Sequence, residues 1–112
     1  MRWWSRLRLA SNNDVGITTY ADPTTIRKSG NKVKIWSLDD FKTVQKVGGH
    51  MSTKIQDEYD YKKKQSRGLY VSFHSENMSG GRVVYTIDYP NKWQTVPHGG
   101  MEETLWELAY GK

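Results

Sequence analysis

The sequence predicts an α+β fold, a sheet of about six antiparallel strands with one C-terminal helix on one face. Three observations lead there. Short stretches of alternating apolar and polar residues recur along the chain, parted by Gly, Asn, Asp and Pro. No stretch between them is long enough to be a crossover helix, so neighbouring strands must run antiparallel. Only the end of the chain carries helical spacing. There Met101, Leu105, Leu108 and Ala109 fall at i, i+4, i+7 and i+8, one stripe of a helix over 101–110.

The elements follow in order. Trp3, Ser5, Leu7 and Leu9 alternate with Trp4, Arg6 and Arg8, the pattern of a half-buried strand. Ser11-Asn12-Asn13-Asp14 reads as a turn, and the Ile- and Thr-rich stretch 16–20 as the second strand of a hairpin. In Asp22-Pro23-Thr24-Thr25-Ile26, Asp suits a cap and Pro the first helical position, so one helical turn is expected. Val33 and Ile35 face one side of a third strand; Lys34, Trp36 and Leu38 face the other. Residues 39–50 carry no pattern and read as an exposed connection ending at Gly48-Gly49. In the fourth strand Thr53, Ile55, Asp57, Tyr59 and Tyr61 oppose Lys54, Gln56, Glu58 and Asp60. A polar tip at 62–65 leads to a fifth strand, with Leu69, Val71 and Phe73 opposite Tyr70, Ser72 and His74. A glycine turn over 77–81 leads to a sixth, with Val83, Tyr85, Ile87 and Tyr89 on one side, closed by Pro90. Gly99-Gly100 then breaks the chain, and Glu102 and Glu103 fall in the first turn of the final helix, where its dipole favours them. About ten residues make a marginal helix in water, so this one must lie on the sheet.

With 112 residues and no internal repeat or linker, one domain over 1–112 is expected. Five Trp and seven Tyr supply core volume that the 36% hydrophobic content would not. No apolar run approaches the length of a membrane span. Arg6 and Arg8 interrupt what would be the apolar part of a signal peptide. The absence of cysteine excludes disulfides, thiol catalysis and thiolate metal sites. A net charge of +5 suits an acidic partner, and it serves solubility equally.

No catalytic constellation is readable. His50, His74 and His98 lie too far apart in sequence for paired ligand spacing, and His74 and His98 read as surface residues. Asp57, Glu58 and Asp60 divide between two faces, which argues against an acid–base pair. Ser79-Gly80-Gly81 lacks the spacing and the lysine of a phosphate loop. No enzyme, no small-molecule substrate and no cofactor or metal are therefore expected. The candidate binding residues are basic: Lys62, Lys63, Lys64 and Arg67 at a hairpin tip, Lys42 and Lys46 in the unpatterned connection. The plainer reading of such a run is a solvated turn. Trp93 and the Trp3-Trp4 pair add contact area where exposed and core volume where not.

Taken in order, Tyr20-Ala21-Asp22-Pro23-Thr24-Thr25-Ile26, Val33-Lys34-Ile35-Trp36, Glu58-Tyr59-Asp60-Tyr61, Gly80-Gly81-Arg82-Val83-Val84, Trp93, Val96-Pro97 and the final helix resemble the surface-adhesin protein E family over nearly the whole chain. The resemblance implies a curved six-stranded antiparallel sheet with the C-terminal helix on its concave face. It also implies a cysteine after the Tyr-Asp pair and another near the helix end, joined as a disulfide; here those positions are Tyr61 and Tyr110. A bridge closing a loop of about 50 residues contributes roughly 4 kcal/mol in the chain-entropy model. Two rings in contact recover part of that, so Tyr61 and Tyr110 are expected to pack together as a structural pair.

The function so implied is that of a non-catalytic binding module of the bacterial cell envelope. Its partners would be host extracellular-matrix or plasma proteins such as vitronectin, laminin and plasminogen. The expected location is the periplasm or outer surface where an upstream leader has been removed, and the cytoplasm otherwise. Two alternatives stand beside it: a nucleic-acid or polyanion binder acting through the basic residues, and a self-associating structural protein, for instance a homodimer. No aromatic-basic strand of RNA-recognition type is present, which places nucleic acid behind a protein partner.

Overall fold

The computed structural model describes residues 7–12, 16–96 and 105–107. Among the described residues seven strands form one antiparallel sheet: β1 Arg8–Asn12, β2 Ile17–Ser29, β3 Lys32–Phe41, β4 Ser52–Asp60, β5 Gln65–His74, β6 Val83–Ile87 and β7 Gln94–Thr95. They lie in the order β1-β2-β3-β4-β5-β6, and β7 pairs with the other end of β5. The expected antiparallel order and the two faces of β3, β4 and β5 appear. In the register, Val33 pairs with Tyr59 and Ile35 with Asp57, so these share a face, while Lys34 and Trp36 share the other with Glu58 and Gln56.

The first face carries the core. Ala21, Val33, Ile35, Tyr59, Val96 and Leu105 form one buried cluster, with Ile26 and Trp106 packed against it. Residues 105–107 are helical, and Leu105 is only 5% exposed. The described helix is that one turn. Residues 101–104 and 108–110 of the expected helix lie outside the described residues, so the structure supports a sheet-dominated fold and not a substantial helix. What the single turn does retain is the face: Leu105 enters the sheet core as its helical spacing required.

The local departures have physical reasons. The expected helical turn at 22–26 is instead part of β2, where the register jumps from Asp22↔Trp36 to Arg27↔Lys34. Five steps along β2 match two along β3, so the extra residues bulge out. Pro23, which lacks an N–H, is tolerated there. Thr25 closes the gap: its hydroxyl donates to the Asp22 carbonyl at 2.7 Å and accepts the Trp36 N–H at 3.0 Å. The Asp22 carboxylate accepts the Thr24 N–H at 3.0 Å. Thus the Asp-Pro-Thr-Thr signal is a cap, but of a bulge.

Other boundaries shift similarly. The turn expected at 11–14 begins as strand, since β1 runs to Asn12 through an irregularity between Leu9 and Ser11. Residues 3–6 of the expected first strand, with Trp3 and Trp4, lie outside the described residues. β3 extends to Phe41, so the irregular connection starts at Lys42, and β5 begins at Gln65, inside the expected tip. β6 ends at Ile87, short of Tyr89. Leu69 is an extra residue in β5, because Asp57↔Gly68 is followed by Gln56↔Tyr70. β7 is two residues long, too short to show a period.

Candidate binding surfaces

The connection after β3 folds back on the sheet. Phe41 N–H donates to the Met51 carbonyl at 2.9 Å, Gln45 N–H to His50 at 2.9 Å, and Gly49 N–H to Gln45 at 3.0 Å. Gly48 and Gly49 have φ of 93° and 69°, left-handed values that only glycine adopts freely. At Gly48 a side chain would also meet the His50 ring, since a Cβ there would lie 2.9 Å from Nδ1. The turn presses His50 between two rings, edge-on to Phe41 at 5.4 Å and to Phe73 at 4.9 Å. Tyr85 of β6 continues the row at 6.2 Å from Phe73.

Between this connection and strands β5 and β6 lies a cleft of about 650 Å³, lined by residues 45–48 and by His50, Phe73, Val84 and Tyr85. Its rim leaves large apolar groups in water: Val47 is 87% exposed and Tyr85 63%. Isolated exposed apolar residues are ordinary; several around one concavity mark a contact surface. His50 Nδ1 is buried with no hydrogen-bond partner among the described residues. The arrangement offers apolar contact, with the exposed Lys46 among the residues that line it.

The basic residues expected to bind do not form one site. β4 runs nine residues from the connection to the hairpin tip, roughly 30 Å at a strand's rise. Lys46 lines the cleft at one end, and Lys42 lies beside Gly16 at the same end. Lys62, Lys63 and Lys64 lie in the turn at the other end, held by the Lys63 N–H donating to Asp60 Oδ1 at 3.1 Å and the Val96 N–H donating to the Lys64 carbonyl at 3.0 Å. The Lys64 ammonium lies 5.5 Å from the Trp106 ring centre. Arg67 is in β5 and not on the tip: it pairs with Glu58 through Nε at 2.9 Å and a second nitrogen at 2.8 Å, and its guanidinium lies 4.5 Å from the Trp93 ring centre. The strand register adds neighbours that sequence reading passed over, Arg27 and Lys34, which share Arg67's face.

Tyr61 stacks on Trp106, with ring centres 5.8 Å apart and planes within 4°. The expected partner Tyr110 lies outside the described residues, as does His98. Tyr61 is 57% exposed despite this contact. His74, read from sequence as a surface residue, is buried on the face opposite the Leu105 core; its Nε2 lies 2.8 Å from Ser72 Oγ. Burial, then the nearby Lys54 charge, pushes its pKa below the ordinary imidazole value. Asp39 moves the other way: burial raises its pKa, although the Thr19 hydroxyl donating to it at 2.7 Å partly opposes this.

Nearby, Asp40 accepts the Met78 N–H at 2.8 Å and the Ser52 hydroxyl accepts the Ser79 N–H at 2.9 Å. These bonds hold Met78 and Ser79 in left-handed conformations, with φ of 56° and 60°, and fix the loop between β5 and β6 that borders the cleft strand.

Comparison with known proteins agrees with the architecture. Residues 4–109 match the sequence profile of the surface-adhesin protein E family. Among solved structures, protein E from non-typeable Haemophilus influenzae is similar to this chain with a TM-score of 0.58 and 14% sequence identity, over 98% of this chain and 75% of that one. At that identity the likeness speaks for the fold. No curated protein matches.

Proposed function

The chain belongs to the surface-adhesin protein E family, which makes it an adhesin-like surface or envelope module, and from that premise we propose that it is a non-catalytic protein-binding module whose docking site is the cleft beside β6. The observation that carries this reading is the placement of exposed apolar groups in a cleft lined by rings, with Val47 and Tyr85 largely exposed beside Phe73 and His50. Protein interfaces draw most of their affinity from a few aromatic anchors at such a centre. Lys46, which also lines the cleft, adds attraction for an acidic group of the partner. The partner class proposed is an extracellular-matrix or plasma protein.

Binding to immobilised vitronectin, laminin and plasminogen, measured with the full chain, tests the reading. Val47→Asp with Tyr85→Ser changes two largely exposed side chains, so the chain should stay folded in thermal unfolding while affinity for the bound protein falls at least tenfold. Equal affinity in that variant would remove the cleft from the interface.

One observation favours a second reading. β6 ends the strand order, and among the described residues it pairs with β5 alone. An open edge bearing exposed Val83 and Tyr85 suits pairing with a second copy. Sedimentation equilibrium over a hundredfold concentration range tests this: a stable dimer supports self-association, and a monomer throughout leaves the cleft to a foreign partner.

A further inference from the structure

The sheet face opposite the Leu105 core has its own chemistry at the hairpin-tip end. The register places Arg27, Lys34, Glu58 and Arg67 side by side across β2, β3, β4 and β5. At about 4.8 Å per strand this row is roughly 14 Å long. Lys32 lies in the next row, opposite Asp60, and the Lys62-Lys63 turn is just beyond.

The carboxylates of these strands are turned to internal use. Arg67 engages Glu58 through two nitrogens. Asp60 is buried and accepts the Lys63 N–H. Asp22 is buried and accepts the Thr24 N–H. The cations, by contrast, keep their charge at the surface. Lys32 and Lys34 are exposed. Arg27 donates to the Thr24 and Ile26 carbonyls at 3.0 and 2.9 Å, which are neutral acceptors. Rings pack against two further basic side chains of this face: Arg67, already paired with Glu58, lies on Trp93, and the Lys54 ammonium lies 5.0 Å from the Trp36 ring centre.

The same contacts decide what kind of acidic partner fits. Single-stranded nucleic acid needs bare ring faces for its bases. Here Trp93 carries Arg67, Trp36 carries Lys54, and Tyr70 meets Trp36 edge-on at 5.4 Å. Capped rings also offer poor apolar anchors for a protein. What remains is a row of exposed cations, Arg27, Lys32 and Lys34, suited to a linear chain of strong anions. Sulfate esters meet that need, since they are permanently ionised and offer several oxygens to a guanidinium fork. We propose that this face of the sheet, around the exposed Arg27, Lys32 and Lys34, binds a sulfated polysaccharide, at a site separate from the cleft.

The test is calorimetric titration of the full chain with a heparin octasaccharide at 50 and 300 mM salt, with two charge-matched variants. Lys32→Gln with Lys34→Gln removes two exposed cations from the proposed row; Lys42→Gln with Lys46→Gln removes two from the other end of the sheet. The proposal expects binding at low salt that weakens at least about tenfold at high salt, as counter-ions compete. It expects a further loss of at least fivefold in the first variant and less than twofold in the second. Single-stranded DNA and polyglutamate of matched charge should bind at least tenfold more weakly than the octasaccharide. Equal losses in the two variants, no binding at 50 mM, or DNA or polyglutamate binding as tightly as the octasaccharide would each overturn it.

Discussion

Thr25 shows how much one hydroxyl contributes when strands separate. It donates to Asp22 and accepts from Trp36, so it stands in for the ladder bonds that the bulge interrupts. Thr25→Val keeps the shape but leaves a carbonyl and an N–H unpaired. A loss of about 1–3 kcal/mol in urea unfolding is expected; an unchanged midpoint would mean that the bulge is closed by other contacts. His74 sets a pH dependence instead. Its pKa in the folded chain lies below the ordinary 6.5, because burial and then Lys54 disfavour the imidazolium. The unfolded chain therefore takes up the proton first. Stability from this group is complete above pH 6.5 and is lost as pH falls through the folded pKa. His74→Gln should reduce the difference in unfolding midpoint between pH 7.5 and pH 5. An undiminished difference would assign the acid sensitivity to another group.

At the scale of elements, what the sequence reveals depends on whether a signal is local. The faces of β3, β4 and β5 are legible because alternation has a period of two and the core lies on one side only. Asp22-Pro23-Thr24-Thr25 misleads because a helix start and a strand bulge ask for the same things, a capping carboxylate and a residue that needs no N–H. Only the cross-strand bond from Trp36 distinguishes them, and that partner is eleven residues away. The bulge at Leu69 is hidden for the same reason. The basic residues are visible in sequence, but their grouping is not: register alone brings Arg27 and Lys34 beside Arg67 and sends Lys42 and Lys46 to the far end. The cleft was not legible, since 42–51 has no period and its path is fixed by Gly48, Gly49 and His50 in three dimensions. The helical turn at Leu105 is the element whose packing face was read correctly. Leu105→Ala removes a buried side chain from the cluster of Val33, Ile35 and Tyr59, with an expected cost of about 2–4 kcal/mol in urea unfolding. A cost below about 0.5 kcal/mol would mean that this turn does not hold the sheet core closed.

For the whole molecule, the open sheet separates two surfaces of different chemistry. An apolar cleft lies at the connection end, and a cationic row lies at the hairpin end of the opposite face. Among the described residues much of the buried set is polar, including Thr19, Asp22, Ser37, Ser52 and Ser72. Such a sheet depends on satisfied hydrogen bonds as much as on apolar volume. The central claim is that the cleft beside β6 receives the protein partner. Amide hydrogen exchange on the full chain, free and bound to the matrix or plasma protein it retains, tests this most directly. Protection on binding should rise in segments 45–50 and 83–87 and stay unchanged at 62–67. Protection confined to 62–67, with the cleft segments exchanging as in the free protein, would contradict it.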